Sequence, residues 1–199
     1  MKNVSKIGIV VDSTTTLSDE IKKEYGIKTV SLNVETASFS KKEEDIKDEE
    51  IIEVLDDVQN LKTSSPSPNE FVEAYQQLFD EGYEYILVFP LSKGLSSTYQ
   101  SAFIAKSYFD NEDNICVFDT GTANYGVANI IETLLPYFED KKIKFDFVKK
   151  QTERRINNSR LMFTVMDLKH LVHGGRLSKL GGLVGSLLQS KPRVKVNKE

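Results

Sequence analysis

With 199 residues, 39% of them hydrophobic and 28% charged, the chain can build one good core, or one domain with part of a second, and has the composition of a soluble globular protein. A formal net charge of −4 argues against nucleic-acid binding, which usually demands a basic face. No apolar run approaches the roughly 20 residues of a membrane span, and Met1 to Lys6 lead straight into a strand pattern rather than a signal peptide. A cytoplasmic protein without stable membrane insertion is therefore expected.

Strand and helix patterns alternate. Ile7-Gly8-Ile9-Val10-Val11, closed by Asp12-Ser13-Thr14, predicts a buried parallel strand ending in a loop. A helix follows from about Leu17 to Tyr25 with Gly26 as its stop, and Lys28 to Val34 alternates like a second strand. Ser38 to Glu50 is charged and poor in apolar residues and reads as a solvated loop, leading to a helix from Glu49 to Asp57. After the loop Lys62-Thr63-Ser64-Ser65-Pro66-Ser67, Pro68 opens a helix to Asp80, with Ser67 as N-cap and Glu70 in the first turn. Phe71, Ala74, Tyr75, Leu78 and Phe79 form its apolar stripe.

Tyr85 to Phe89 predicts a strand, Ser97 to Phe109 a helix, Ile115 to Asp119 a strand, and Ala123 to Phe138 a helix. Such βα repetition implies a parallel sheet with helices on both faces. The charged stretch Lys141 to Asp146 suggests a boundary, giving an α/β domain over residues 1–145 and an incomplete second α/β domain over 146–199. That second unit holds a helix from Phe147 to Asn157, a strand from Leu161, a short helix Asp167 to Val172, a glycine turn at His173 to Ser178, an apolar helix through Leu188, and a strand beginning at Pro192. Cys116, the single cysteine, lies in an apolar strand pattern and reads as a buried structural thiol.

Two hydroxyl clusters stand directly before helices: Thr63-Ser64-Ser65 and Ser96-Ser97-Thr98. A helix N-terminus presents unpaired N–H groups and the positive end of its dipole, which suits an anion. Ser and Thr are equally common as plain N-caps, so either cluster alone is ambiguous. Asp12-Ser13 and Asp119-Thr120-Gly121-Thr122 add further polar strand ends, all expected at the carboxyl edge of one parallel sheet, where open α/β folds bind ligands. A serine nucleophile lacks a convincing base, because His170 and His173 both fall in the second unit and no G-x-S-x-G elbow exists. Those two histidines and a distant cysteine make no recognised metal set, and Gly174-Gly175 and Gly181-Gly182 match no nucleotide-loop spacing, so no cofactor is expected. Arg176, beside the glycine turn, suits a carboxylate, a phosphate or a partner protein.

These residues resemble the DegV family of bacterial fatty-acid-binding proteins. Asp12-Ser13 to Leu17 is similar to its "DSxxxL" block, Thr63 to Pro68 to "TSQPSP", and Leu95 to Ala102 to "LSGTYQSA". Asp119-Thr120 stands at its "DS", Leu168 to Ser178 resembles "LxxLxxGGRIS", and Gly185 to Pro192 resembles "GSLLxIKP". Ser65 replaces a glutamine and Ser97 a glycine, and the chain stops just after the Lys-Pro block. The resemblance implies a two-domain α/β protein that buries one long-chain fatty acid, its carboxylate held at positions matching Thr63 and Ser96. Ser64, Ser97 and Thr98 are expected nearby. It further implies presentation of the acid to a separate fatty-acid kinase for phospholipid synthesis, with Arg176 contacting that kinase and no catalysis by this chain. The alternatives are a degenerate relative with an interaction or regulatory role and no lipid, and an enzyme acting on an anionic metabolite at the same sheet edge.

Overall fold

The structure is a computed structural model and describes residues 2–55, 57, 59–164, 173–175 and 193–196. Its centre is a parallel sheet of β1 (Ile7–Asp12), β2 (Lys28–Val30), β6 (Tyr85–Phe89) and β7 (Ile115–Val117), in the order β2-β1-β6-β7. β1 is central and all six of its residues are buried, as its unbroken apolar run requires. The period-2 alternation of strands then sorts side chains between two layers. Ile7, Ile9 and Val11 join Leu87 and Phe89 against Tyr25 of α1 (Asp19–Tyr25), Val127 and Ile131 of α5 (Tyr125–Glu132), Phe138 of α6 (Leu135–Phe138), and Val148 and Ile156 of α7 (Phe145–Asn158). Val10, Ile86 and Val88 face Phe71, Tyr75 and Leu78 of α3 (Pro68–Asp80) and Ala102 and Ala105 of α4 (Thr98–Lys106). The fold is thus mixed α/β, a parallel sheet with helices on both faces. Each fully buried aliphatic or aromatic side chain in these layers contributes about 1.5–3 kcal/mol.

Gly8 shows how tightly the second layer sits: a Cβ at that position would lie 2.9 Å from Cδ1 of Leu78. The predicted stripe of α3 is the face that is buried, with Tyr75 donating its hydroxyl to the Ala102 carbonyl at 2.9 Å and so tying α3 to α4. α7 lies across the boundary expected near residue 145, and its Val148 and Ile156 belong to the same cluster as Val127 and Ile131. Arg155 on α7 donates from Nε to the Thr133 hydroxyl at 2.8 Å.

Several expectations need correction. Residues 28–34 are not one strand. β2 ends at Val30 and β3 (Asn33–Glu35) belongs to a different, antiparallel sheet of order β4-β3-β5, with β4 spanning Ser40–Lys42 and β5 Lys62–Ser64. The break falls where Leu32 leaves the ladder, its N–H bonding the Ser13 hydroxyl at 3.0 Å and its carbonyl accepting from Glu43 at 2.9 Å. Residues 38–50 are likewise not only a solvated loop, because they contain β4, a 3-10 turn (Glu43–Asp45) and the start of α2 (Asp48–Val54). Their lysines and glutamates pair with partners far along the chain, Lys42 with Glu70 and Ser13 with Glu43, a pattern that apolar periodicity does not carry. The Thr63 segment is a strand, β5, not a loop. The helix expected over 123–138 is two, α5 and α6, because Pro136 cannot donate to the carbonyl four residues back. Beyond α7, β8 (Leu161–Thr164) pairs antiparallel with β9 (Arg193–Val196).

Candidate ligand-binding site

The loop between β6 and α4 is braced from both neighbouring strands. Asp12, fully buried at the end of β1, accepts the Leu91 N–H at 2.6 Å on Oδ2 and the Thr14 N–H and hydroxyl at 3.0 and 2.6 Å on Oδ1. Burial pushes its carboxyl above the ordinary value; the hydrogen bonds from Thr14 and Leu91 oppose that rise and the charge of Glu43 adds to it. With both oxygens engaged by protein donors, Asp12 is a structural brace. On the other side Thr120 donates its hydroxyl to the Pro90 carbonyl at 2.9 Å, and the Ser92 N–H bonds the Thr122 carbonyl at 2.7 Å. Asp119 accepts the Lys93 N–H at 3.3 Å and the Gly121 N–H at 3.2 Å.

Within the braced loop the Ser92 carbonyl accepts the N–H groups of Leu95 and Ser96 at 2.9 and 3.2 Å. The Ser96 hydroxyl accepts the Thr98 N–H at 3.2 Å and lies 2.9 Å from the Thr98 hydroxyl, a short side-chain turn that starts α4. Ser97 occupies the N-cap position yet makes no side-chain cap bond, which leaves its hydroxyl for other work. In the first cluster the terminus of α3 is served by Ser67 and Glu70. The Glu70 carboxylate accepts the Ser67 N–H and hydroxyl at 2.8 and 2.9 Å and pairs with Lys42. Burial alone would raise the Glu70 carboxyl, but Lys42 and Ser67 outweigh it and hold the group below its ordinary value. Capping is therefore carried by Ser67 and Ser96, and Thr63, Ser64, Ser65 and Ser97 are not spent on it.

The two clusters meet through Ser65. Its Oγ lies 2.9 Å from Oγ of Ser96 and 2.9 Å from Oγ of Ser97. The sequence points to Ser96, Ser97 and Thr98 but not to Ser65, whose only signal is its place as the third hydroxyl in the run. Thr63 and Ser64 lie on β5 just before Ser65, where Thr63 sits opposite Val34 and Ser64 opposite Asn33, whose Nδ2 donates to the Ser64 hydroxyl at 3.4 Å; neither is hydrogen-bonded to Ser96. Both are exposed, as is Ser97; Ser96 and Ser65 are half-buried and Thr98 is buried. The edge expected to be all parallel-strand ends is thus built from β6 on one side and the antiparallel β5 on the other. α3 and α4 both begin here, so both positive helix ends favour a negative group. Arg176 and His170 lie outside the described residues; His173 is exposed and precedes a turn in which Gly175 has φ of 70°. Among the described residues no group of three or more acidic, His or Cys side chains could hold a metal ion.

With this geometry in view, comparison with known proteins is decisive about kinship. The model of the uncharacterised DegV family matches residues 6–199. The chain belongs to the DegV family. A DegV domain-containing protein of Staphylococcus aureus (strain COL) is 36% identical over 186 residues, covering 92% of this chain and 65% of the relative. The chain therefore spans 65% of the length of that curated relative. Among solved structures, a DegV family protein from Thermus thermophilus, described by its fatty-acid binding, superposes with a TM-score of 0.83 at 28% identity, over 96% of this chain and 68% of that one. A stearic-acid-binding protein from Eubacterium ventriosum gives a TM-score of 0.82 at 27% identity, over 95% of this chain and 66% of that one.

Proposed function

We propose that this DegV chain binds a long-chain fatty acid, with the carboxylate held by the hydroxyls of Thr63 and Ser96 and with Ser64, Ser97 and Thr98 around it. The observation that carries this reading is the meeting of two hydroxyl clusters at two helix starts, through Ser65 and Ser96, with Ser67 and Glu70 serving the start of α3 and Ser97 making no cap bond on α4. Neutral donors suit an acyl head group. They meet the cost of burying a carboxylate, about 2–7 kcal/mol for even a neutral polar group left unpaired, without adding a buried counter-charge. The acyl chain supplies about 0.8 kcal/mol for each buried CH₂. Fatty-acid binding by DegV proteins of known structure supports the same reading.

In this proposal the chain acts in the cytoplasm and presents the bound acid to a separate fatty-acid kinase for phospholipid synthesis, with Arg176 as a contact of that kinase and residues 146–199 as part of a second unit. It carries no catalytic step of its own; the engagement of both Asp12 oxygens supports that. No helix among the described residues is long and apolar enough to cross a membrane. A role in interaction or regulation without lipid is the second reading. Uptake of oleate, followed by displacement of a fluorescent fatty acid, separates the two. The carrier reading expects saturable binding that Thr63→Ala and Ser96→Ala weaken without changing the melting temperature. Unaltered uptake by both variants would remove Thr63 and Ser96 as the head-group site.

A further inference from the structure

The hydroxyl protons at the site can be counted, and the count leaves one over. A serine or threonine hydroxyl has one proton to give and two lone pairs. Ser96 Oγ has three polar neighbours: the Thr98 N–H at 3.2 Å, the Thr98 hydroxyl at 2.9 Å and the Ser65 hydroxyl at 2.9 Å. The N–H fills one lone pair, so without a ligand Ser96 gives its proton to one hydroxyl neighbour and accepts from the other. An anion at Ser96 accepts the hydrogen bond from that hydroxyl instead. One neighbour then donates into the remaining lone pair, and the other loses its bond to Ser96.

Burial decides which. Thr98 is fully buried, and leaving its hydroxyl without a partner is costly. Thr98 therefore keeps Ser96 as its acceptor, and Ser65 is released. Ser65 is half-buried at the site's surface and has a second partner, Ser97 Oγ at 2.9 Å, which is exposed and free of capping duty. Ser97 can donate to Ser65, leaving the Ser65 proton to point where the Ser96 proton points.

We propose that Ser65 is a further head-group ligand, donating to the second oxygen of the carboxylate bound at Ser96, with Ser97 holding it in place and Thr98 donating to Ser96. This rests on the fatty-acid reading of the site. Ser65 and Ser97, the two positions that depart from the family's hydroxyl blocks, are in contact and act here as one unit.

The test compares binding of oleate and of oleyl alcohol, which shares the chain but lacks the carboxylate, by displacement of a fluorescent fatty acid. Ser65→Ala is expected to weaken oleate about tenfold, the factor for one charge-assisted hydrogen bond of about 1.4 kcal/mol. Oleyl alcohol should change less than about twofold and the melting temperature not at all. Ser65→Thr, which keeps the hydroxyl, should recover most of the oleate affinity, and Ser97→Gly should cost about two- to threefold, since it removes only the prop. Wild-type oleate affinity in Ser65→Ala, or an equal loss for acid and alcohol, overturns the role of Ser65 and leaves the carrier reading intact. A wild-type protein that binds neither molecule overturns the carrier reading, and the role of Ser65 with it.

Discussion

Gly8 and Leu78 offer a quantitative check on the layer that carries the first hydroxyl cluster, because α3 continues directly from that cluster. Leu78 is fully buried and its branched end covers Gly8, whose added Cβ would stand 2.9, 3.1 and 3.3 Å from Cδ1, Cδ2 and Cγ. Leu78→Ala removes the buried isopropyl end of the side chain from beneath α3 and should cost about 3–4 kcal/mol, transfer and cavity together. Gly8→Ala in the wild-type background forces Leu78 aside and should cost about 1–2 kcal/mol. In the Leu78→Ala background the clash is gone, the new methyl fills part of the cavity, and replacing a strand glycine returns about 0.5–1 kcal/mol. The double-mutant cycle should therefore show a coupling of about 2 kcal/mol, well beyond the ~0.5 kcal/mol expected of independent sites. Urea denaturation of the four proteins measures it. Additive free energies within ~0.5 kcal/mol would refute the packing of α3 on β1 described above.

Two carboxylates should respond to pH with opposite signs. The folded-state value of Asp12 lies above its ordinary 3.8, so the folded protein holds that proton more tightly, and stability attributable to Asp12 falls as pH rises from below 3.8 through the raised value. The stability of wild type minus that of Asp12→Asn should decline over that window in a urea series; a rise would contradict the burial of Asp12. Glu70 lies below its ordinary 4.5, so its contribution is present above 4.5 and is lost as pH falls through the depressed value; Glu70→Gln should flatten that acid limb. Glu70→Ala should cost about 1 kcal/mol, the usual worth of a helix-start bond, read from thermal melts. Burial raises the Cys116 thiol, so it should react slowly with a thiol reagent at neutral pH and quickly only in denaturant; rapid native-state reaction would place it at the surface.

Much of the fold was legible because its signals are local. Val10 and Val11 on β1 and Leu87 and Val88 on β6 form the continuous apolar runs of strands buried on both faces, and Phe71, Tyr75 and Leu78 carry the helical period. The antiparallel sheet was not legible, because β4 and β5 are three residues each, almost free of apolar side chains, and exist through pairing with β3. For the same reason the site was only half readable. Thr63 and Ser96 stood out as hydroxyls before helices, but the contact that joins their loops is between Ser65 and Ser96, 31 positions apart, and nothing in either run announces it. How capping is shared out is a three-dimensional fact as well: Ser67 with Glu70 serves one helix start and Ser96 the other, which a sequence of adjacent serines cannot apportion.

The most direct test of the central claim is native mass spectrometry of the purified protein, followed by denaturing extraction of whatever it carries. The account predicts a retained mass that is released as a long-chain fatty acid, or the uptake of one equivalent of added oleate, and loss of that mass in the paired Thr63→Ala, Ser96→Ala variant. A bare protein that takes up no added fatty acid would contradict it and leave the hydroxyls of Thr63, Ser65 and Ser96 as ordinary loop contacts.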